Sequence, residues 1–187
     1  MATIDAKLLT GVIDPTHSRV QFKVKHLMIS NILGSFKEFE GKATMAENDL
    51  STTVVSFSIN TASIDTEVAD RDTHLKSADF FDVENYPKIE FEGKGMTQKD
   101  EDTYELKGNL TIKGIVKPVT LSVEYGGLMN DPWGNKKAGF SVSGEINRKD
   151  WGMVWNAALE TGGVLVGEKI KILCDVEFLI SQHLVKI

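Results

Sequence analysis

The sequence predicts an all-β antiparallel fold of about eight strands, with a closed barrel favoured over a sandwich. Three observations carry this expectation. Apolar and polar residues alternate with period two along most of the chain. The links between alternating segments are of hairpin length, which suits antiparallel pairs, whereas parallel pairs need crossover connections. The segments form a near-regular run, most of them apolar on one side only, a pattern that closure into a barrel satisfies.

Taken in order, "DPTHS" supplies the turn formers Asp14 and Pro15 ahead of the first clear strand. In "SRVQFKVKHLM", Val20, Phe22, Val24, His26 and Met28 share one face, and Arg19, Gln21, Lys23 and Lys25 take the other. Between Gly34 and Met45 the alternation changes parity around Lys37–Glu38, just after Phe36, which predicts a bulge or bend. "TVVSFSIN" aligns Val55, Phe57 and Ile59. Residues 67–82 read as a short helix with Arg71, Leu75, Ala78 and Phe81 or Asp82 on one side. "KIEFEGKG" aligns Ile89, Phe91, Gly93 and Gly95, and "TYELKGNLTI" aligns Tyr104, Leu106, Gly108, Leu110 and Ile112. Gly114 and Pro118 bracket a short connection to "VTLSVEY", which puts Val119, Leu121, Val123 and Tyr125 together. After the loop "MNDPWGNKK", "AGFSVSGEI" aligns Ala138, Phe140, Val142, Gly144 and Ile146. Residues near 148–160 read as irregular or helical, and "EKIKILCDVEFLI" ends the series with Ile170, Ile172, Cys174, Val176 and Phe178.

Composition narrows the function classes. A chain of 187 residues suits a single domain, 1–187, large enough to build a core without a disulfide or structural metal. Its one cysteine, Cys174, excludes an intramolecular disulfide and any cysteine-based zinc site. A formal charge of −6 without a Lys/Arg stripe argues against nucleic acid. No apolar run approaches the ~18 residues of a membrane span. The opening "MATIDAKLLTGVIDP" lacks a basic n-region and an apolar h-region, so a soluble, cytoplasmic protein is expected.

The inward rows mix large residues such as Phe22, Phe91, Tyr104 and Phe140 with Gly93, Gly95, Gly108, Gly144, Ala138 and Cys174. An eight-stranded barrel is just wide enough to be filled by side chains or to hold one small ligand. Small inward residues fit a cavity, and they equally fit strand coiling or a tapering wall.

Several segments together resemble one family. "DPTHSRVQFKVKHLMISNILGSFKEFEGKA" is similar to the opening motif of the YceI-like polyisoprenoid-binding proteins, and "RDTHLKSADFFDVENYPKIEFEGK" resembles their most distinctive segment. "GNLTIKGIVKPVTLSVEY", "GFSVSGEINRKDWGMVWN" and "LETGGVLVGEKIKI" follow in the family's order, so the likeness runs from about Val12 to Ile180. The resemblance implies an extended, lipocalin-like barrel of eight antiparallel strands whose lumen takes a long isoprenoid or another long-chain amphiphile. It implies no enzymatic reaction and no cofactor, and a role in lipid transport or stress response. Many relatives carry a secretion signal, which this sequence does not show.

Asp14, His17 and Ser18 carry the letters of a hydrolase triad, but neighbours entering a strand point to opposite faces, which leaves a turn and a histidine at the barrel rim. His26, on an apolar face, suits either a satisfied core histidine or a contact to a ligand head. His17, His26, His74, Asp70 and Asp72 lack the local spacing of a zinc site, and no metal is assigned. "GGVLVGEK" lacks the Gly-Lys-Ser/Thr ending of a phosphate loop, and "NLT" at Asn109 is a glycosylation triplet that matters only after secretion. "DWGMVWN" offers Trp151, Met153 and Trp155 as a plug or tunnel wall. In the helix, Asp70 lies one turn from His74, and Asp72 can offset Arg71.

The expected function is therefore non-enzymatic carriage or sequestration of a long-chain isoprenoid or similar amphiphile in the lumen. The expected lumen residues are Val20, Phe22, Val24, His26, Phe36, Phe57, Phe91, Tyr104, Leu106, Phe140, Val142, Trp155, Ile170 and Ile172. His17, Arg71, His74, Arg148 and Asn156 are expected at a mouth that meets the polar head. Two rivals stand beside this reading. One is a lipid-acting enzyme using His26 or His74 as acid/base, and the other is a filled barrel working through its surface, with a homodimer allowed.

Overall fold

The computed structural model describes residues 5–186; the outermost residues of the 1–187 domain lie outside that range. In chain order the elements are β1 (Asp5–Ile13), β2 (Arg19–His26), β3 (Ser30–Phe36), β4 (Phe39–Ala46), β5 (Asp49–Asn60), β6 (Ile64–Asp65), α1 (Ala69–Lys76), β7 (Lys88–Gln98), β8 (Thr103–Ile112), β9 (Ile115–Asn130), β10 (Lys136–Asn147) and β11 (Val166–Lys186). All pairing is antiparallel. The ring runs β1-β4-β5-β7-β8-β9-β10-β11 and closes through β11 on β1, giving an eight-stranded barrel of lipocalin-like form.

β2, β3 and β6 are continuations of β1, β4 and β5 past short interruptions. The first interruption is a 3-10 turn at Pro15–His17, capped by the Asp14 carboxylate, which accepts from the Thr16 amide at 3.1 Å. The second is Lys37–Glu38, where the parity change occurs. The third is a 3-10 turn at Thr61–Ser63, capped by Asn60 Oδ1 on the Ala62 amide at 3.1 Å. Two stretches of strand were not foreseen. β1, whose "DAKLLTGVI" alternates poorly, pairs with Phe178–Lys186, and β11 extends to Lys186 rather than ending near Ile180.

Two details of the expected pattern are corrected. The β8–β9 link is a two-residue turn at Lys113–Gly114 with φ of 50° and 72°, the mirror-type hairpin turn that favours glycine. Pro118 lies inside β9 opposite Asn109 rather than bracketing the link. In β7 the register shifts between Gly93 and Met96, and Gly95 takes φ of +76°. That bulge re-aims the row, so Met96 rather than Gly95 follows Gly93 inward.

Two segments fold over the same end of the barrel, where β5, β8 and β10 finish. One contains α1, which is shorter than the 67–82 expected. It stops at Lys76, where Ser77 turns extended and its hydroxyl donates to the His74 carbonyl at 2.6 Å. The other opens with a 3-10 turn at Arg148–Trp151 and runs irregularly to β11. Trp151 is 2% exposed and donates its indole N–H to Leu110 O at 3.1 Å, so this segment is keyed into the barrel wall. Among the described residues no helix is long and apolar enough to cross a membrane.

Candidate functional site: an apolar lumen

Alternation along eight strands directs one apolar row per strand inward, and the rows enclose a cavity of about 260 Å³. That lies just below the roughly 300–1,000 Å³ of typical small-molecule pockets. Of the residues expected to face a lumen, Val20, Phe22, Val24, Phe36, Phe57, Phe91, Leu106, Phe140, Val142, Ile170 and Ile172 line it. Met153, offered as tunnel wall, also lines it, as do Leu75, Phe80 and Phe81 of the helical segment, whereas reasoning from sequence missed Thr53 and Met96. Thr53 was readable, because it shares the parity of Val55, Phe57 and Ile59. Met96 was hidden by the bulge.

Three expected lumen residues do not line the cavity. Tyr104 packs on the core from the opposite end, near the start of β8. His26 is half-exposed at the tip of β2, where the ladder to β11 becomes irregular and the barrel no longer covers it. Trp155 lies over the closing segments, edge-on to His74 with ring centroids 4.6 Å apart and tilted on Phe80 at 5.5 Å. Its stack therefore seals the end from outside.

The expected mouth residues divide similarly. His17 has 60% of its side chain exposed on the outer wall between β1 and β2, where its Nδ1 bonds Asp14 Oδ2 at 2.9 Å. Arg71 donates to Thr66 Oγ1 at 2.7 Å and Thr66 O at 2.8 Å, and Asp72 accepts from that same hydroxyl at 2.6 Å. This chain of bonds ties α1 to Thr66, three residues before its start, and turns Arg71 away from the lumen. His74 pairs with Asp79 at 2.9 Å rather than with Asp70, and both side chains are solvent-accessible. Asn156 is spent on the backbone of Val166, donating to its carbonyl at 2.8 Å and accepting from its amide at 3.1 Å.

Arg148 alone of that group lines the cavity, and it is 2% exposed. Its guanidinium donates to Met153 O at 2.6 Å, Gly167 O at 2.9 Å and Val166 O at 3.4 Å, and lies 5.9 Å from the Phe80 ring centroid. Burial lowers its pKa and the nearby Glu168 raises it, yet an arginine keeps its charge at neutral pH. Glu168 pairs at 2.5 Å with Lys149, so among the described residues Arg148 has carbonyl partners and no carboxylate salt bridge. Three carbonyls offset the desolvation that would otherwise make a buried lone cation untenable.

Glycine shapes the wall in a way the sequence left open. An added Cβ at Gly34 would overlap the Phe22 ring, one at Gly41 the Phe57 ring, and one at Gly93 or Gly108 the Phe91 ring. These rings lie flat over bare backbone, as aromatics do when they cover strand glycines. The small residues thus create room indirectly, by letting phenyl groups lie along the wall instead of projecting from it.

The lining holds two ionisable side chains, Arg148 and Cys174. Burial pushes the Cys174 thiol up to about 11, so it is protonated and unreactive at neutral pH. Among the described residues no histidine–carboxylate pair lines the cavity, and neither His26 nor His74 is among its lining residues. The one grouping with metal-like geometry among the described residues, Asp14, His17 and Glu177, lies on the outer wall. Lys137 Nζ already sits between its carboxylates, 3.0 Å from Asp14 and 2.7 Å from Glu177. The hydroxyl of Thr16, His17 and Lys137 together hold the Asp14 carboxyl far below the usual carboxylate range. A cation is thus built into the cluster.

A closed antiparallel barrel with an apolar lumen and two segments folded over one end defines a lipocalin-like class of protein. Residues 12–178 match the YceI-like domain, and the chain belongs to the YceI-like family. A UPF0312 protein of Staphylococcus aureus strain N315 is 41% identical over 170 residues, covering 90% of this chain and 96% of that protein. Among solved structures, BcnA of Burkholderia cenocepacia superposes with a TM-score of 0.76 at 21% identity, covering 88% of this chain and 98% of that one. The Campylobacter jejuni YceI protein gives 0.67 at 29% identity, with 87% and 90% covered. A polyisoprenoid-binding domain from Saccharophagus degradans, implicated in plant cell wall breakdown, gives 0.63 at 10% identity, with 92% and 98% covered.

Proposed function

We propose that this protein binds one long-chain isoprenoid or similar amphiphile in its lumen and carries or sequesters it without transforming it. The observation that carries the reading is the cavity of about 260 Å³, walled mostly by aliphatic and phenyl groups with a single permanent charge at its covered end. A fold neighbour described as a polyisoprenoid-binding domain supports the same ligand class. Burying about ten methylenes contributes roughly 8 kcal/mol at ~0.8 kcal/mol each. Ordering a flexible chain offsets a good part of that, which leaves micromolar binding within reach. The positive end at Arg148 favours a ligand that presents electron-rich atoms there.

The test is native mass spectrometry of freshly purified protein, followed by organic extraction of whatever is bound. A stoichiometric lipid mass, or uptake of an isoprenoid chain after delipidation, is the expected result. Protein that arrives without lipid and refuses isoprenoid chains after delipidation sinks the proposal. Recovery of a chemically altered chain after incubation would favour an enzyme instead.

A further inference from the structure

One polar atom in the lumen has no counterpart. Thr53 is 4% exposed and lines the cavity, and its Oγ1 is without a hydrogen-bond partner. A buried hydroxyl left unpaired is costly, and native structures contain few of them. Its environment explains how it arises. Val54 forms the last regular pair of β5 with β7, opposite Lys94, and the β4–β5 ladder slips between Thr44 and Ala46. Thr53 thus stands where neither neighbouring ladder is regular, and such irregularities commonly re-aim a side chain next to a functional site.

Its surroundings offer it nothing. Val55 and Phe57 follow on the same inward row, and Ala43 lies opposite Val55 on β4. A water molecule at this position would need two to four polar partners, which a hydrocarbon wall does not supply. Arg148 is far from it, because Thr53 precedes Asn60, at the closed end of β5, by seven residues, about 23 Å of strand. Arg148 also has three carbonyls already bound.

We propose that Thr53 Oγ1 is a second polar subsite of the lumen, and that the occupant is a long apolar chain bearing a hydroxyl or carbonyl oxygen which this hydroxyl binds. A threonine hydroxyl both donates and accepts, so either oxygen satisfies it. The inference rests on the lumen-binding reading and specifies its ligand: an oxygenated chain is selected over the plain hydrocarbon of equal length. Burying the ligand's oxygen without a partner would be unfavourable, so the preference depends on Thr53.

The test uses phytol and phytene, which differ by the hydroxyl, offered in competition from cyclodextrin to the delipidated full-length protein and read by native mass spectrometry. Wild type is expected to favour phytol. In Thr53→Val, a near-isosteric change, the phytol-to-phytene ratio should fall about five- to tenfold, the worth of one net hydrogen bond, while Thr53→Ser retains it. Thr53→Val should also melt higher than wild type when empty, since it removes an unpaired buried hydroxyl; Thr53→Ala repeats the ratio measurement if the valine variant folds poorly. A ratio unchanged in both hydroxyl-free variants that still bind the two probes overturns the Thr53 subsite and leaves the lumen reading standing. Wild-type protein that takes up neither probe overturns the lumen reading itself.

Discussion

Replacing Gly34 with alanine is the sharpest test of how the lumen is made. Gly34 on β3 faces Phe22 on β2, and the new Cβ would lie 2.5 Å from Phe22 Cε1 and closer still to the ring tip. The three atoms nearest to it all belong to that ring, so the ring must leave the wall, and the open direction is the cavity it already lines. One benzene ring fills an apolar cavity of about 150 Å³. Against about 260 Å³ the displaced ring would take more than half the room. Six carbons of ligand lose their place, an upper limit near 5 kcal/mol at ~0.8 kcal/mol each, so affinity for long chains should drop by about two to three orders of magnitude. Stability changes less. Overpacking costs about 1–3 kcal/mol, partly offset by the roughly 0.4–1 kcal/mol that alanine gains through the unfolded chain. The melting temperature should fall by about 2–6 °C. The assay is affinity for isoprenoid alcohols of increasing length, with thermal unfolding alongside, and the double variant Gly34→Ala/Phe22→Leu should recover long-chain binding. Unchanged affinity for the longest chains in Gly34→Ala would refute the idea that glycine holds the rings flat.

Three other perturbations probe the closing segments and the wall. Arg148→Met leaves three carbonyls without their buried donor and should cost about 3 kcal/mol or more, with limited proteolysis opening first between residues 153 and 165. Cys174, with its thiol pushed up to about 11, should react with alkylating reagents at pH 7.5 about two orders of magnitude more slowly than a free thiol. A bound chain should slow it further, because the thiol lines the lumen, so equal rates with and without lipid would contradict that placement. Lys137→Met should shift acid unfolding to higher pH. The folded-state pKa of Asp14 is depressed, so its contribution is complete above the unfolded value of about 4 and disappears as pH falls through the folded value. Removing Lys137, one of the groups that depresses it, moves that loss to higher pH, as the melting temperature followed from pH 5 to pH 2 would report.

Where side chains alternate, the sequence was transparent: the inward rows of β8, β10 and β11 could be written down residue by residue. Transparency failed where backbone geometry, not hydropathy, decides. The bulge at Gly93–Met96 exchanged Gly95 for Met96, and no residue type there announces a slipped ladder. β1 escaped notice because its pairing partner, the far end of β11, lies 165 residues away at Ile13–Phe178 and 181 away at Asp5–Lys186, and its own alternation is weak. Among the polar residues, type suggested a role that direction then denied. Arg71, His74 and Asn156 are all near the closed end, yet each is consumed by a local bond, to Thr66, Asp79 and Val166. Local hydrogen bonding of this kind depends on turn conformations that periodicity does not describe. Arg148 and Thr53 are the opposite case, polar residues whose sequence surroundings look ordinary and whose burial makes them consequential.

β11 pairs with β10 along one edge and with both β2 and β1 along the other, so it is the strand that turns a curved sheet into a tube. It is also the last strand in chain order. During synthesis, therefore, everything up to β10 can assemble only as an open trough, with β1–β2 and β10 as unpaired edges and the future lumen facing water. Exposed edges and apolar surface invite association with other chains, and closure must wait for contacts between the first and last strands, which makes it slow. A nascent chain stalled before Val166 should thus bind chaperones or apolar dyes strongly, and release them when the final strand is added. The same trough that endangers the growing chain is wide open to a lipid, so the moment of closure is also an opportunity for the first ligand to be enclosed.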